Sequence, residues 1–305
     1  MATPPARTDL ADTYPNPSNA VFRTGIGKLH DFLMGLLGTT GNAVDARAAL
    51  GIGDSISNRN LVVNGDFSVN QRVYGGTLTT AANQVTLDRW RVVVSGQAIT
   101  FGAASPGRTV TAPAGGMEQI IEAGWVRGGV HTLSWGGTAT ATVNGAAITS
   151  GGQTASLATN TAVTLRFTGG TVSDVQFERG SSATPREYRP PLTELMLCQR
   201  DYAKSYAIAT APGNVTALGR YWFSGNVSGS ILGFVPFPVS MRIAPTVTPW
   251  DGNGNINSTL SFTAAGAFIS RTATAANITD KGFEVGASVG TDVVISGQWT
   301  AATGF

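Results

Sequence analysis

The sequence predicts a mainly β protein, with a short N-terminal α-helical segment followed by two β-sandwich, jelly-roll-like domains. Three observations carry this. From Asn60 onward, apolar residues alternate with polar ones in short runs broken by Gly, Asn and Pro, the period-two signature of half-buried strands. Before that, residues 21–37 space their apolar side chains at helical intervals. Charged residues make up 12% of the 305-residue chain, about half the usual quarter, and Gly, Thr, Ser, Asn and Ala fill the gap. That deficit has two readings, which are compatible. Strand surfaces rich in Thr fit a pleated sheet, and a surface that becomes subunit interface is depleted in charge.

Residues 1–20 carry Pro4, Pro5, Pro15 and Pro17 with little apolar content, and form an extended N-terminal arm. Such an arm docks on a partner or stays a disordered terminus. Residues 21–59 form a helical attachment and oligomerisation segment. Phe22, Ile26, Leu29, Leu33 and Leu36 make one stripe at a mean heptad spacing, widened by Phe32 and Leu37, and Gly38 caps the end. A helix this short is marginal alone, so it needs either the downstream domain or copies of itself. A second short helix is expected from Asn42, as N-cap, to Leu50.

Residues 60–188 hold the first β-sandwich, with LVVNGDFSVNQ, VTLDRWRVVVSG, HTLSW, TATATVNG, AVTLRFTGG and VSDVQFERG among its strands. Within TATATVNGAAITSG, Asn144-Gly145 predicts a type I′ hairpin turn. Residues 189–206 form a linker helix, LTELMLCQRDYAKSY with Thr193 as N-cap, after the Pro-rich SSATPREYRPP. Residues 207–305 form a C-terminal β-sandwich, the tip. No fixed-length repeat is evident, which argues against solenoids and propellers.

Several function classes are disfavoured. A net charge of +2 without a Lys/Arg cluster predicts no nucleic-acid partner and no anionic membrane surface. No apolar run is long enough to cross a bilayer, and MATPPARTDLADTYPNP lacks a signal-peptide core. The single cysteine, Cys198, permits no internal disulfide, as suits synthesis in a reducing cytoplasm.

Three stretches, in order along the chain, resemble tailed-bacteriophage tail fibres. LHDFLMGLLGTTGNAVDARAALGIG (Leu29–Gly53) is similar to their N-terminal connector. NLVVNGDFSVNQR (Asn60–Arg72) with LDRW (Leu87–Trp90) resembles the opening of the carbohydrate-binding-module-like jelly rolls that such fibres carry. VQFERGSSATPREYRPPLTELMLCQRDYAKSY (Val175–Tyr206) resembles the closing strand and exit segment. VPFPVSMRIAPTVT (Val235–Thr248) is also similar to the segment that succeeds those jelly rolls in the fibres. Together they cover about a third of the chain. The resemblance implies a virion fibre, assembled as a homotrimer in the bacterial cytoplasm and docked on other virion proteins through its arm and helix. It also implies a partner in host-surface polysaccharide. The segment between Trp90 and Phe177 is short for such a jelly roll, so the first sandwich is read either as a structural shaft or as a sugar-binding unit.

The chain is not expected to be an enzyme, and no cofactor is expected. Its histidines are His30, on the helix, and His131, on a strand; Cys198 reads as a small core residue. Glu118 and Glu122, on one strand, would stand about 13 Å apart, too wide for a glycosidase pair. Asp88 with Glu178 remains open as a pair assembled from distant sequence. DGNGNIN (Asp251–Asn257) mimics the start of a calcium loop. It has Ile256 where Gly is needed and Phe262 where Glu is needed, so it reads as a polar hairpin loop with no metal. For sugar recognition, the expected residues are Trp250, Asp251, Asn253 and Asn255, with Trp222. Trp250 stands beside the polar loop, where an exposed ring would stack on a sugar face. The competing readings are a non-receptor fibre or decoration protein of head or tail, and a polysaccharide depolymerase.

Overall fold

Alternation along the chain is converted into two packed β units joined by a short helix. The computed structural model describes residues 20–37, 58–102, 109–225, 229–263 and 265–304. Helix α1 (Ala20–Leu37) covers the predicted helical stripe. Of its side chains, Leu29, Phe32 and Leu33 are 56%, 65% and 40% exposed, so this part of the stripe has no cover among the described residues. The side chains of Phe22, Ile26 and Leu36 lie outside the described residues, as do the N-terminal arm and the expected helix at 42–50.

The first unit contains β1 (Gln84–Val85), β2 (Arg91–Val92), β3 (Thr100–Phe101), β4 (Val110–Thr111), β5 (Met117–Ile121), β6 (Arg127–Gly129) and β7 (His131–Gly136). It continues with β8 (Thr140–Val143), β9 (Ala146–Ile148), β10 (Gly152–Gln153), β11 (Leu157–Thr159), β12 (Val163–Thr168) and β13 (Thr171–Arg179). A six-stranded sheet, β1-β2-β5-β12-β8-β9, packs against a five-stranded one, β10-β7-β13-β4-β3. Strand β12 shows why: Val163, Leu165 and Phe167 are fully buried while Thr164, Arg166 and Thr168 alternate outward. The core centres on Phe67, Trp90, Phe167 and Phe177, with Trp125 and Trp135 packed on its rim. The predicted hairpin forms between β8 and β9, where Asn144 and Gly145 both take positive φ, 50° and 82°.

One expected strand is absent. LVVNGDFSVNQ forms no ladder, and bends at Val63 and Asn64 and a turn at Gly65 and Asp66 interrupt it. Its backbone is satisfied by side chains instead: Asn64 Oδ1 accepts from Val69 N, its amide donates to the carbonyls of Val69 and Asp88, and Val63 N donates to Gln119. Asn side chains that bond neighbouring backbone compete with sheet ladders.

The linker also departs from expectation. Helix α2 (Pro191–Gln199) starts two residues before Thr193, with Pro190 at its cap and Pro in its first turn. It stops before the expected end at 206. Beyond it, β14 (Tyr202–Lys204) pairs with the last strand of the second unit. Ala203 lies in that unit's core.

The second unit adds β15 (Tyr221–Ser224), β16 (Gly229–Pro236), β17 (Thr246–Trp250), β18 (Ser258–Phe262), β19 (Phe268–Thr272), β20 (Thr274–Ala276), β21 (Gly282–Gly290) and β22 (Val294–Ala302). Strand β22 is its spine. The C-terminal half of β22 pairs with β14 and β17, its N-terminal half with β15 and β18, and β19 extends the sheet beyond β18. Two excursions, 205–220 and 251–257, therefore leave the sheet at the same level. A three-stranded sheet, β16-β21-β20, closes a core of Ile231, Phe237, Phe283, Val285, Ile295 and Trp299.

The units meet at Asp201. Its carboxylate binds Arg89 of the first unit, and also Arg242 (2.8 Å) and the Thr303 hydroxyl (3.0 Å) of the second. Glu122 receives Arg200 through both oxygens, at 3.2 and 3.3 Å. Beside this clasp lies a cleft of about 310 Å³ lined by Arg89, Glu122 and Arg242.

Candidate functional site

Residues directly opposite one another in a sheet share a face. Trp222 stands opposite Ser296, Ser296 opposite Leu260, and Leu260 opposite Ser270. This row lies on the outer face of the second unit, because Tyr221, Phe223, Ile295 and Trp299, at the alternate positions, pack on its core. Phe262 and Phe268 form the next row on the same outer face. The Trp222 and Phe268 ring centroids are 6.0 Å apart and nearly perpendicular, and Phe262 lies 5.0 Å from Phe268. The rings reach over β22 and β18, which accounts for the burial of Ser296 and Leu260 beneath them. Trp222 is nonetheless 55% exposed and Phe268 47%. The result is an aromatic shelf open to solvent. Perpendicular rings at this distance support one another while leaving a face free to stack.

The loop Asp251–Asn257 borders the shelf, but not as the sequence suggests. Asp251 is fully buried. Its carboxylate accepts from the backbone N–H of Asn253 and Asn255, both at 2.9 Å, from the Asn255 amide at 2.8 Å, and from the Ser270 hydroxyl at 2.5 Å. Burial alone would push this carboxyl up, but these hydrogen bonds outweigh it and hold it below the usual range. Asp251 thus fastens its own loop and is not a free ligand group. Trp250 is half-buried, its indole N–H donating to Thr300 Oγ1 at 3.3 Å. Excursion 205–220 presses on the ring: a side-chain carbon at Gly213 would meet it at 3.0 Å. Asn253 and Asn255 are exposed.

Of the expected sugar-contacting residues, Trp222 and Asn255 come to one surface, joined by Phe268 and Ser270. Trp250 and Asp251 hold the loop in place. Phe268 and Ser270 are not among the residues expected from sequence. Their signal is the hairpin STLSF–AFISRT, whose alternation places Leu260, Phe262, Phe268 and Ser270 on one face.

The candidate catalytic groups are enclosed in separate networks. Glu118 is clamped by Arg91 and Arg166. Asp88 accepts from Gln71 at 2.6 and 2.9 Å, and Glu178 from Thr184 at 2.8 and 2.6 Å. His131 is buried and stacked on Phe177, and burial lowers its pKa. Burial pushes the Cys198 thiol well up, which makes it a poor nucleophile. Among the described residues no group of three or more His, Cys, Asp or Glu is arranged to hold a metal ion.

Fold and surface together define a protein of two β-sandwiches with a solvent-facing aromatic shelf on the second. No family model matches the chain, and no curated protein matches it. Among solved structures, recombinant discoidin II of Dictyostelium discoideum is similar at 12% identity, covering 77% of this chain and 93% of that one, with a TM-score of 0.21. A superposition this loose supports no argument about ligand or function.

Proposed function

We propose that the chain is a structural protein of a bacteriophage virion, a short trimeric tail fibre that binds host-surface glycan during adsorption. The observation that carries glycan binding is the exposed Trp222–Phe268 shelf, since sugar faces stack on aromatic rings and a contiguous exposed apolar patch marks an interaction site. The virion assignment rests on the ordered resemblance of the connector, jelly-roll and exit segments. Trimerisation rests on helix α1, whose Leu29, Phe32 and Leu33 need cover. The contact surface belongs to the second unit. Trp90 of the first is fully buried, and Trp125 and Trp135 pack on its core.

Three weak sites on one fibre gain avidity through effective concentration, so no turnover is needed. The shelf also suits the distal position. Strand β22 starts at Val294 and reaches the joint at Ala302. Trp222, at the level of Ser296, therefore stands about 20 Å from the joint end, and the 251–257 loop only about 13 Å. The shelf stands further from the joint than the expected contact loop does.

The experiment has two arms. Light scattering of the intact protein should give a trimer, and Leu29→Asp with Leu33→Asp should give a monomer with both sandwiches folded. A monomeric wild type at micromolar concentration overturns the trimer. Purified wild-type protein should bind host cells and block adsorption of the particle; a protein that binds no host surface or glycan overturns the receptor role and leaves a non-receptor fibre.

A further inference from the structure

We propose that the shelf selects uncharged, hydroxyl-rich glycans and rejects acidic ones, with Asp251 as the discriminating group. This rests on the glycan-binding reading above. The argument is one of charge complementarity. Among the described residues, the partners of the Asp251 carboxylate are all neutral: two backbone amides, the Asn255 amide and the Ser270 hydroxyl. No cation hydrogen-bonds to it there. Arg271 pairs with Asp292 at 2.9 Å, and Arg220, which packs against Gly252, spends its hydrogen bonds on the Thr216 carbonyl at 3.0 and 3.1 Å.

The polar rim of the shelf is consequently spent as a donor. The Ser270 O–H points at Asp251 and takes a long 3.3 Å contact from Asn255, whose amide nitrogen also serves Asp251. What these two side chains still offer to solvent are oxygens, the Asn255 Oδ1 and the Ser270 lone pairs. A sugar hydroxyl donates to such atoms. A carboxylate or sulfate only accepts, finds no partner, and approaches a buried negative charge whose low-dielectric setting carries its field outward. The ring stack of Trp222 and Phe268 supplies the attraction, and the Asp251 rim supplies the repulsion that gives specificity.

The test uses the intact wild-type protein with immobilised neutral oligosaccharides of glucose, galactose and N-acetylhexosamines, and matched sialylated and uronic-acid oligosaccharides. Neutral ligands should bind with no change between low and high salt. Acidic ones should bind at least about tenfold more weakly, and should improve as salt screens the rim. Trp222→Ala and Phe268→Ala should each weaken neutral binding at least about tenfold with the fold retained, because both rings are half exposed. A preference for acidic ligands, or binding to them that falls with salt, overturns the selectivity and leaves glycan binding standing. Neutral binding unaffected by both substitutions places the contact elsewhere on the protein and overturns the role given to the shelf. Binding of no glycan at all overturns this inference together with the function it rests on.

Discussion

Arg89 occupies a backbone position suited to glycine. It is third in the turn Leu87–Trp90, closed by Trp90 N–H to the Leu87 carbonyl, and its φ is +70°. A side chain in this region costs about 1 kcal/mol, so the guanidinium must return more than that. It does so by binding Asp201 and the Ile120 carbonyl from an almost fully buried position. The two terms separate by substitution. Arg89→Ala keeps the strain and loses the clasp; Arg89→Gly loses the clasp but relieves the strain. Chemical denaturation should find both variants destabilised, with alanine worse than glycine by about 1 kcal/mol; equal losses would mean that the turn holds no strain. Asp251 shows the limit of reading single residues. Its place in a polar loop is visible in DGNGNIN, but not that its carboxylate turns inward. The clue is local: an Asp whose side chain can reach the amides two and four residues on caps its own turn.

Elements were legible where one face is buried and the other wet, and illegible where side chains replace the ladder. VTLRFT announces a strand by alternation, and Asn144-Gly145 announces its hairpin by the need for two positive φ angles. LVVNGDFSVNQ has the same apolar content, yet Asn60 and Asn64 satisfy its neighbours and no strand forms. YAK, attached to a helix by sequence, becomes β14 because β22 has an open edge there. Its Lys204 also fixes the 205–220 excursion, donating to the Ile208 and Thr210 carbonyls at 2.9 and 2.7 Å. Burial lowers the Lys204 pKa from 10.5 to about 8. Below pH 8 both folded and unfolded chains carry the proton, and the penalty of burying the charge is complete. Between about 8 and 10.5 only the unfolded chain holds it, so stability rises with pH. Tyr202 and Tyr221, pushed by burial from 10.0 to about 12, act oppositely: their contribution is present below pH 10 and is lost towards 12. Denaturation midpoints should therefore climb from pH 8 to about 10 and fall beyond it. In Lys204→Met the climb should vanish and the fall remain; a climb that survives would assign it to another group.

At the scale of the whole molecule, the sequence points to two sandwiches with a boundary at 206, but the joint is integrated into both. Composition and Pro-rich spacing mark where a chain leaves one core. They do not mark ion pairs between residues more than a hundred positions apart, such as Arg89 with Asp201. Helix α2 packs Cys198 against Val63 and Val69 of the first unit, with Leu195, Leu197 and Trp125 around them. Three residues past α2, β14 supplies an edge and Ala203 to the second. Asp201 lies between, bound from both sides. Removing one member of a buried charge cluster leaves the others uncompensated, at a cost of about 3–5 kcal/mol, and removing β14 exposes the backbone of Thr300–Ala302. A fragment beginning at residue 207 loses both, although it retains most of the second core. It should be insoluble or unfold without cooperativity, whereas one beginning at Pro191 regains β14 and Asp201 and should fold with lower stability than the intact chain, since its α2 face is bare. The intact sandwiches, sharing α2, Asp201 and β14, should melt in a single calorimetric transition whose van't Hoff and calorimetric enthalpies agree. In Asp201→Ala, Arg89 and Arg242 lose the carboxylate they share, with Glu122 still 3.8 Å from Arg89, and that transition should split in two. A wild type that already melts in two steps, or a 207–305 fragment that folds as well as 191–305, would show that the sandwiches are independent and that the clasp only orients them.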